Sequence, residues 1–173
     1  MDIQIFDNDT LRLKIKKTTL AVDPKTKVTK FDADAVLVMD KDTDPSRVNE
    51  SRVTITGAGE YEISGLKISG INSEKDVLYG LSSENSNILV AKASSLDKIS
   101  SEKLGDYQVV VVNVDSDLNQ SLITAMEPRI VVLYGEKSKE GAKLLGKESA
   151  QKSSKISISE DKLPEELEVM ILG

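Results

Sequence analysis

The pattern of apolar residues changes midway along the chain, and this change limits the fold more than any other feature. In the first half, apolar and polar residues alternate, as at Leu11, Leu13 and Ile15. A two-residue period is typical of antiparallel strands with one buried face. In the second half, predicted buried strands such as residues 107–114, with four consecutive valines, alternate with helical patterns, as in parallel β-α-β units. The sequence therefore predicts an α/β sandwich of two mixed sheets with few, short outer helices.

Turn residues divide the first half into short predicted strands. A strand over residues 18–22 stops at Asp23 and Pro24, because proline cannot continue the hydrogen-bonding ladder of a sheet. The continuous apolar run over residues 35–39 indicates a strand covered on both faces. Residues 77–81 and 87–91 predict a hairpin joined by a polar turn.

Three short helices are predicted in the second half. The first spans residues 96–104 and ends at Gly105, and the third begins at Ser138. The second is capped by Ser116, stops before Pro128, and has an apolar face of Leu118, Leu122, Ile123 and Met126. No linker or repeat divides the chain, so we expect residues 1–173 to form a single domain.

The absence of histidine and cysteine limits the chemistry of the chain. None of its 173 residues is His or Cys. Without His there is no imidazole base and no nitrogen ligand for a transition metal. Without Cys there is no thiolate ligand and no disulfide. Any metal would therefore be bound by oxygen atoms alone, which favours hard ions such as Mg²⁺ or Ca²⁺.

Charge and hydropathy suggest where the protein works. The net charge is −6, and the 23 Lys and Arg residues are dispersed, so we expect no nucleic-acid partner. The N-terminus lacks the basic and apolar regions of a signal peptide. Apolar stretches such as residues 35–39 and 109–112 are far too short to cross a bilayer. We therefore expect a soluble cytoplasmic protein with no membrane partner.

Five segments, spread over nearly the whole chain, resemble the metallo-β-lactamase superfamily, particularly its small bacterial group of predicted zinc-dependent hydrolases. They occur in family order at residues 20–24, 33–38, 57–63, 127–132 and 163–169. The segment 57–63 is the most specific, because the group typically has Gly-Pro-Gly-Glu-Tyr-Glu-Val there. Ala58 takes the place of the proline. The resemblance implies a metallo-β-lactamase-like αβ/βα sandwich.

The positions that match the family's metal ligands differ from the family pattern. The His-x-His-x-Asp-His loop of the family corresponds to Asp40, Asp42, Asp44 and Pro45. The later histidine and the bridging aspartate correspond to the neighbourhood of Val90 and Ala93, the last histidine to Gly135, and an additional N-terminal histidine to Asn8. The resemblance therefore predicts a degenerate member in which the zinc site is lost and no cofactor is bound.

Two functions from different classes follow from this resemblance. The leading hypothesis is a non-catalytic pseudo-hydrolase that acts through protein or ligand binding, as a homo-oligomer or as the inactive partner of an active paralogue. The alternative is a divergent hydrolase with an Asp-only Mg²⁺ or Mn²⁺ site at Asp40, Asp42 and Asp44. In the structural interpretation of the same three residues, they form a solvated loop in which Asp replaced His.

Three further motifs have a chemical and a structural interpretation. Residues 57–59 could cradle a phosphate, but they lead into a strand, which favours a structural turn. Glu60 and Glu62 could act as an acid and base pair, or could lie on one solvated face of a sheet. Ser94 with Lys92 leaves a Ser-Lys nucleophile open.

Overall fold

The computed structural model describes residues 1–74 and 76–173, and strands dominate it. The strands of the first half are β1 (Asp2–Ile5), β2 (Leu11–Ile15), β3 (Thr18–Val22), β4 (Phe31–Asp32), β5 (Ala35–Leu37), β6 (Val48–Asn49), β7 (Val53–Ile55) and β8 (Gly59–Ile63). Those that follow are β9 (Leu66–Ser73), β10 (Asp76–Ser82), β11 (Asn87–Lys92), β12 (Val109–Asn113), β13 (Ile130–Tyr134), β14 (Lys152–Ser153), β15 (Lys155–Ser157) and β16 (Glu168–Leu172).

These strands form two mixed sheets and a separate short pair, β4 with β6. The first sheet has the order β15-β1-β2-β3-β5-β7, with β3, β5 and β7 parallel to one another. The second sheet has the order β14-β16-β13-β12-β11-β10-β9-β8. Its strands from β8 to β11 are antiparallel neighbours, and β11, β12, β13 and β16 run parallel. The predicted hairpin of β10 and β11 is confirmed.

The main core lies between the two sheets and consists largely of Ile, Leu and Val side chains. The inward-facing residues of β2 alternate with outward-facing Arg12 and Lys14, which explains the two-residue period of the sequence. Tyr79 on β10 crosses this core, and its hydroxyl lies 2.9 Å from the carbonyl oxygens of both Val38 and Ile55. This hydroxyl therefore links the second sheet to the first.

The helices of the described residues all come from the second half of the chain. They are α1 (Ala93–Leu96), α2 (Gln120–Ala125) and α3 (Ser138–Leu144), with 3₁₀ turns at Pro45–Arg47 and Ser101–Lys103. The predicted start of the third helix is confirmed. The first prediction is wrong, because residues 96–104 divide between the end of α1, a connecting segment and a 3₁₀ turn. The cap of α2 is Asn119, whose Oδ1 accepts the Leu122 N–H, and not Ser116.

The outer faces of the two sheets are covered differently. The apolar outer face of the second sheet packs against the helices, through residues such as Leu96, Ile123 and Ala142. The outer face of the first sheet is covered in part by a small cluster from the segment between β3 and β5, which contains Val28 and Phe31. No helix in the described part of the chain is long and apolar enough to cross a membrane.

The parallel strands of both sheets end at the same edge of the sandwich. Asp23 follows β3 and Asp40 comes after β5 in the first sheet, while Lys92 ends β11 and Asp115 follows β12 in the second. Contacts between Asp40 and Lys92 join the two edges. We call this edge, defined by Asp23, Asp40, Lys92, Asp115 and Gly135, the loop end.

The opposite edge is formed by tight turns. Lys16 lies between β2 and β3, Ser64 between β8 and β9, and Glu84 between β10 and β11. The side chains of Lys16 and Glu84 meet across the two sheets. We call this edge, defined by these three residues, the turn end.

Candidate functional site

The buried carboxylate of Asp23 organises the loop end. Its Oδ1 atom accepts hydrogen bonds from the Met39 N–H (2.7 Å), the Asp40 N–H (3.0 Å) and the Thr43 hydroxyl (2.8 Å). Burial raises the pKa of Asp23, although these three hydrogen bonds act in the opposite direction. The carboxylate of Asp23 therefore holds the loop that contains the predicted metal positions.

Asp40 pairs with two lysines. Its Oδ2 lies 3.0 Å from Nζ of Lys25 and 3.7 Å from Nζ of Lys92. Its Oδ1 accepts the Asp42 N–H at 3.1 Å. Burial acts to raise the pKa of Asp40, but these hydrogen bonds and the two lysine charges outweigh it, so the pKa is lowered. Both carboxylate oxygens of Asp40 are thus engaged within the protein.

Lys92 lies between Asp40 and Asp115. Its Nζ is 3.4 Å from Oδ2 of Asp115, and the same carboxylate accepts the Ser94 N–H (3.0 Å) and the Ser94 hydroxyl (2.6 Å). Burial acts to lower the pKa of Lys92, but the charges of Asp40 and Asp115 outweigh it, so the pKa is raised. A protonated amine has no free electron pair. Ser94 and Lys92 both contact the carboxylate of Asp115, and the two neighbouring carboxylates favour the protonated form of Lys92.

The remaining residues of the predicted metal loop have local structural roles. Asp42 is exposed. The carboxylate of Asp44 accepts the Ser46 N–H (3.1 Å) and hydroxyl (2.6 Å) and lies 3.3 Å from Nε of Arg47. Asp44 thereby caps the 3₁₀ turn, with Pro45 as its first residue. The loop is therefore stabilised by its own side chains.

These residues do not fit the zinc centre that the family resemblance implies. Zinc ligands in proteins are His, Cys and carboxylate side chains, and the chain has no His and no Cys. Over residues 1–74 and 76–173, no group of three or more Asp or Glu side chains is arranged to hold a metal ion. Asp40, Asp42 and Asp44 are thus not brought together as one ligand set.

Three further predicted positions are occupied by packing residues. Val90 is buried between the sheets, and Ala93 begins α1 in the core beneath the helices. Gly135 has φ of +89°, and a Cβ atom there would overlap Oδ1 of Asn113. A side chain at residue 135 therefore requires Asn113 to move. Sequence alone gives no sign of this restriction.

A polar group that the sequence did not single out lies beside the loop end. Asn113 donates from Nδ2 to Oδ1 of Asp9 at 3.2 Å, whereas Asn8, matched to a family histidine, is exposed. The hydroxyl of Tyr134 is buried and has no hydrogen-bond partner among the residues described. Its pKa is raised by burial and by the charges of Asp23, Asp9 and Asp115. Alternation along the short strand β13 places Tyr134 inward, but only the fold places it beside these carboxylates.

The other sequence motifs are structural. The backbone of residues 57–58 packs closely against Gly70 of the neighbouring strand, where a Cβ atom would overlap the Gly57 carbonyl oxygen. Glu60 and Glu62 lie exposed on one face of β8, and Glu60 accepts a hydrogen bond from the Ser69 hydroxyl at 2.7 Å. These contacts agree with the structural interpretation of both motifs.

Open cavities occur elsewhere on the described surface. One of about 320 Å³ lies at the turn end, where Ile15, Thr18 and Leu66 form its floor and Lys16 and Glu84 its rim. Others of about 280 to 350 Å³ are lined by residues of β8 to β11, by α3, by the outer face of the first sheet and by the α2–β13 connection. Asp23, Asp40, Lys92 and Asp115 line none of these five cavities. These four residues form a charge network at the loop end.

Comparisons with known proteins show similarity in structure and not in sequence. A scan against protein-family models finds no match, and a search of curated proteins finds none. A Thermotoga maritima protein, to which zinc-dependent hydrolase function in the metallo-β-lactamase superfamily is ascribed, superposes with a TM-score of 0.77 at 17% identity. The match covers 99% of this chain and 98% of that protein.

Two other solved structures are similar over most of their length. An isothiocyanate hydrolase from Delia radicum gut bacteria has a TM-score of 0.59 at 13% identity, covering 92% of this chain and all of the other (100%). A metallo-β-lactamase fold protein from Bacillus subtilis has a TM-score of 0.58 at 7% identity, covering 98% and 95%. Together with the two mixed sheets described above, these likenesses establish that the chain has the metallo-β-lactamase fold.

Proposed function

We propose that this protein is a non-catalytic, metal-free member of the metallo-β-lactamase fold that acts by binding a protein or a ligand. The observation that supports this proposal most strongly is the ammonium group of Lys92 between the carboxylates of Asp40 and Asp115. Asp40 is one of the positions that the family resemblance assigns to a metal ligand. A cation of the protein itself therefore lies among the groups that would otherwise attract a metal ion.

The chemistry of hydrolysis supports the same proposal. Metal-dependent hydrolases use the ion to lower the pKa of bound water to about 7 and to polarise the scissile bond. At the loop end, the positive charge of Lys92 repels a divalent cation, and the carboxylate oxygens of Asp40 already accept hydrogen bonds. The buried Val90 and Ala93 offer no donor atoms.

The remaining features of the proposal concern organisation and partners. We propose that residues 1–173 form one domain of a cytoplasmic, bacterial protein. The match over 98% of the Thermotoga maritima structure supports a single domain. The partner would be a second copy of this chain or an active, histidine-bearing relative, and not nucleic acid, since the net charge is −6.

Metal content tests this proposal against an Asp-only hydrolase. Untagged protein, purified without chelator, is incubated with Mg²⁺, Ca²⁺, Mn²⁺ or Zn²⁺, desalted, and analysed by elemental mass spectrometry. We expect well under one ion per chain and no change in melting temperature with any of the four. One or two tightly held ions per chain, lost in Asp42→Ala, would instead establish an oxygen-ligand site and overturn the proposal.

Light scattering coupled to size exclusion tests the proposed homo-oligomer. A mass of two or more chains supports self-association. A monomer directs the search to a histidine-bearing relative, and co-purification of the two chains at fixed stoichiometry is then the expected result. If neither assembly forms, and no small ligand raises the melting temperature, the binding role is wrong.

A further inference from the structure

We propose that the ammonium group of Lys92 is an internal structural cation that holds the ends of β5, β11 and β12 together, in the place that the family resemblance assigns to metal. This inference goes beyond the proposed function, because such a cation would stabilise the loop end whether or not the protein binds a partner. It also assigns a role to a residue that is not among the predicted ligand positions.

The positions of the charged groups along the fold are the first argument. Lys92 is the last residue of β11, Asp40 lies three residues after β5, and Asp115 lies two residues after β12. Nζ of Lys92 is 3.7 Å from Oδ2 of Asp40 and 3.4 Å from Oδ2 of Asp115. One ammonium group therefore contacts carboxylates from both sheets of the sandwich.

A second lysine extends the same arrangement. Nζ of Lys25 lies 3.0 Å from the Oδ2 atom of Asp40 that Lys92 also faces. Positive and negative groups thus alternate in the order Lys25, Asp40, Lys92, Asp115, and Ser94 fixes the last carboxylate with two hydrogen bonds. Alternating charges held by independent hydrogen bonds lose less side-chain entropy on pairing than mobile surface ions do.

Burial is the third argument. The side chains of Lys92, Asp40 and Asp115 are 19%, 28% and 26% exposed, so their charges interact through a partly desolvated region. Lys137 and Asp117 form a shorter pair, 2.8 Å, but these side chains are 48% and 98% exposed. Exposed pairs are weakened by water and salt, whereas removing one partner of a buried pair leaves an uncompensated charge. The Lys137–Asp117 pair is therefore a matched control.

Double-mutant cycles measured by urea unfolding test the proposal. Lys92→Met keeps most of the side chain's length and removes its charge, and we expect it to raise the unfolding equilibrium constant by about tenfold or more. In an Asp115→Asn background, the same substitution should have an effect at least about threefold smaller, since one unpaired carboxylate is gone. The cycle of Lys137→Met with Asp117→Asn should show almost no coupling.

Further variants keep the test decisive if Lys92→Met does not fold. Lys92→Arg retains the positive charge and should fold, and Lys92→Met with Asp115→Asn should recover folded protein. Failure of all three variants would indicate a steric role of the stem and overturn the proposal. Coupling no larger than that of the Lys137–Asp117 control would overturn it as well. Metal bound by the wild-type protein would refute the proposed function, whereas the coupling, measured in the presence of a chelator, tests the role of Lys92 separately.

Discussion

A lysine–carboxylate pair bridges the two sheets at each end of the sandwich. The pair with the shorter distance is the more exposed, and the pair with the longer distance is the more buried. At the turn end, Nζ of Lys16 is 2.6 Å from Glu84, but the side chains are 43% and 87% exposed. At the loop end, Lys92 is 3.7 Å from Asp40, and both side chains are mostly buried. Because water screens exposed charges, we expect the longer and more buried pair to have the larger effect on stability.

The surroundings of the two pairs reinforce this difference. At the loop end, the carboxylates of Asp23 and Asp40 accept hydrogen bonds from backbone N–H groups of the same loop. At the turn end, the Lys16–Glu84 pair stands at the rim of an open cavity. The charged groups of the loop end are therefore held in place by backbone hydrogen bonds as well as by ion pairs. Substitutions at the loop end should consequently destabilise the protein more than substitutions at the turn end. The following four experiments measure this difference.

The largest expected effect at the loop end comes from Gly135→Ala. A Cβ atom there would overlap Oδ1 of Asn113 in a backbone with φ of +89°. We expect a loss of about 3 kcal/mol or more in the free energy of unfolding, from strain and overpacking together. Gly146→Ala is the control, because it has φ of +76° but no atom within 4 Å of the added Cβ. It should cost about 1 kcal/mol, and equal losses for the two variants in chemical denaturation would contradict the packing argument.

Asp23 should show that the loop end needs a hydrogen-bond acceptor more than a charge. Asp23→Ala leaves the Met39 N–H, the Asp40 N–H and the Thr43 hydroxyl without their acceptor. We expect a loss of about 2–4 kcal/mol in unfolding free energy. Asp23→Asn keeps an acceptor oxygen and suits the positive φ of +46°, so its loss should stay below about 1 kcal/mol. If Asp23→Asn loses as much unfolding free energy as Asp23→Ala, measured by thermal and urea unfolding, the charge itself is required.

A partly buried carboxylate near the turn end should give a pH-dependent effect. Burial acts to raise the pKa of Glu160, but hydrogen bonds from Ser83 (2.8 Å) and Ser86 (2.9 Å), together with the N-terminal ammonium group, outweigh it, so the pKa is lowered. Because its pKa is lowered in the folded state, the Glu160 carboxylate stabilises the fold above the unfolded-state pKa of about 4.3. This stabilisation is lost as pH falls through the folded-state pKa. Glu160→Gln should therefore cost about 1 kcal/mol at pH 7.

Measurements at lower pH complete that test. The difference in unfolding free energy between wild type and Glu160→Gln should shrink as pH falls from 5 to 3, when the wild-type carboxylate becomes protonated. A difference that grows over this range would mean that the pKa is raised in the folded protein. Asp161→Asn is a suitable control, since Asp161 is exposed and hydrogen-bonds to Asn85 at 2.7 Å.

The smallest effect is expected from the exposed pair at the turn end. Lys16→Ala and Glu84→Ala should each leave the melting temperature almost unchanged at physiological salt, because both side chains are largely solvated. Any small loss should disappear at 1 M salt, where charges are screened within about 3 Å. A loss as large as that of Lys92→Met would remove the contrast between the two ends.

Local chemistry predicted some elements closely. The stop at Asp23 and Pro24 placed β3 at Thr18–Val22, and Ser138 is the first residue of α3. The predicted helix over residues 96–104 is wrong because Leu96 ends α1 and Ile99 lies in the turn that follows, so one amphipathic helix does not bury both. Apolar residues at helical spacing indicate burial, but the packing of neighbouring strands determines the backbone conformation.

At the loop end, the sequence located the segment but not its contacts. Asp40, Asp42 and Asp44 were identified as one loop, yet only Asp40 faces a lysine of the second sheet. Local sequence pairs Lys92 with Ser94 as a possible nucleophile and does not connect Lys92 with Asp115. Their common ion pair joins segments far apart in the chain, and no local pattern encodes such a contact.

The sequence by itself determined the sandwich of mixed sheets and the lack of imidazole and thiolate ligands, because period, turn residues and composition act locally. Only the tertiary structure decided that Lys92 lies between Asp40 and Asp115, and that a side chain at residue 135 would require Asn113 to move. The physical reason is that both features depend on distances between the ends of separate strands. Those distances are set by how the two sheets pack, and burial then determines how strongly the charges interact.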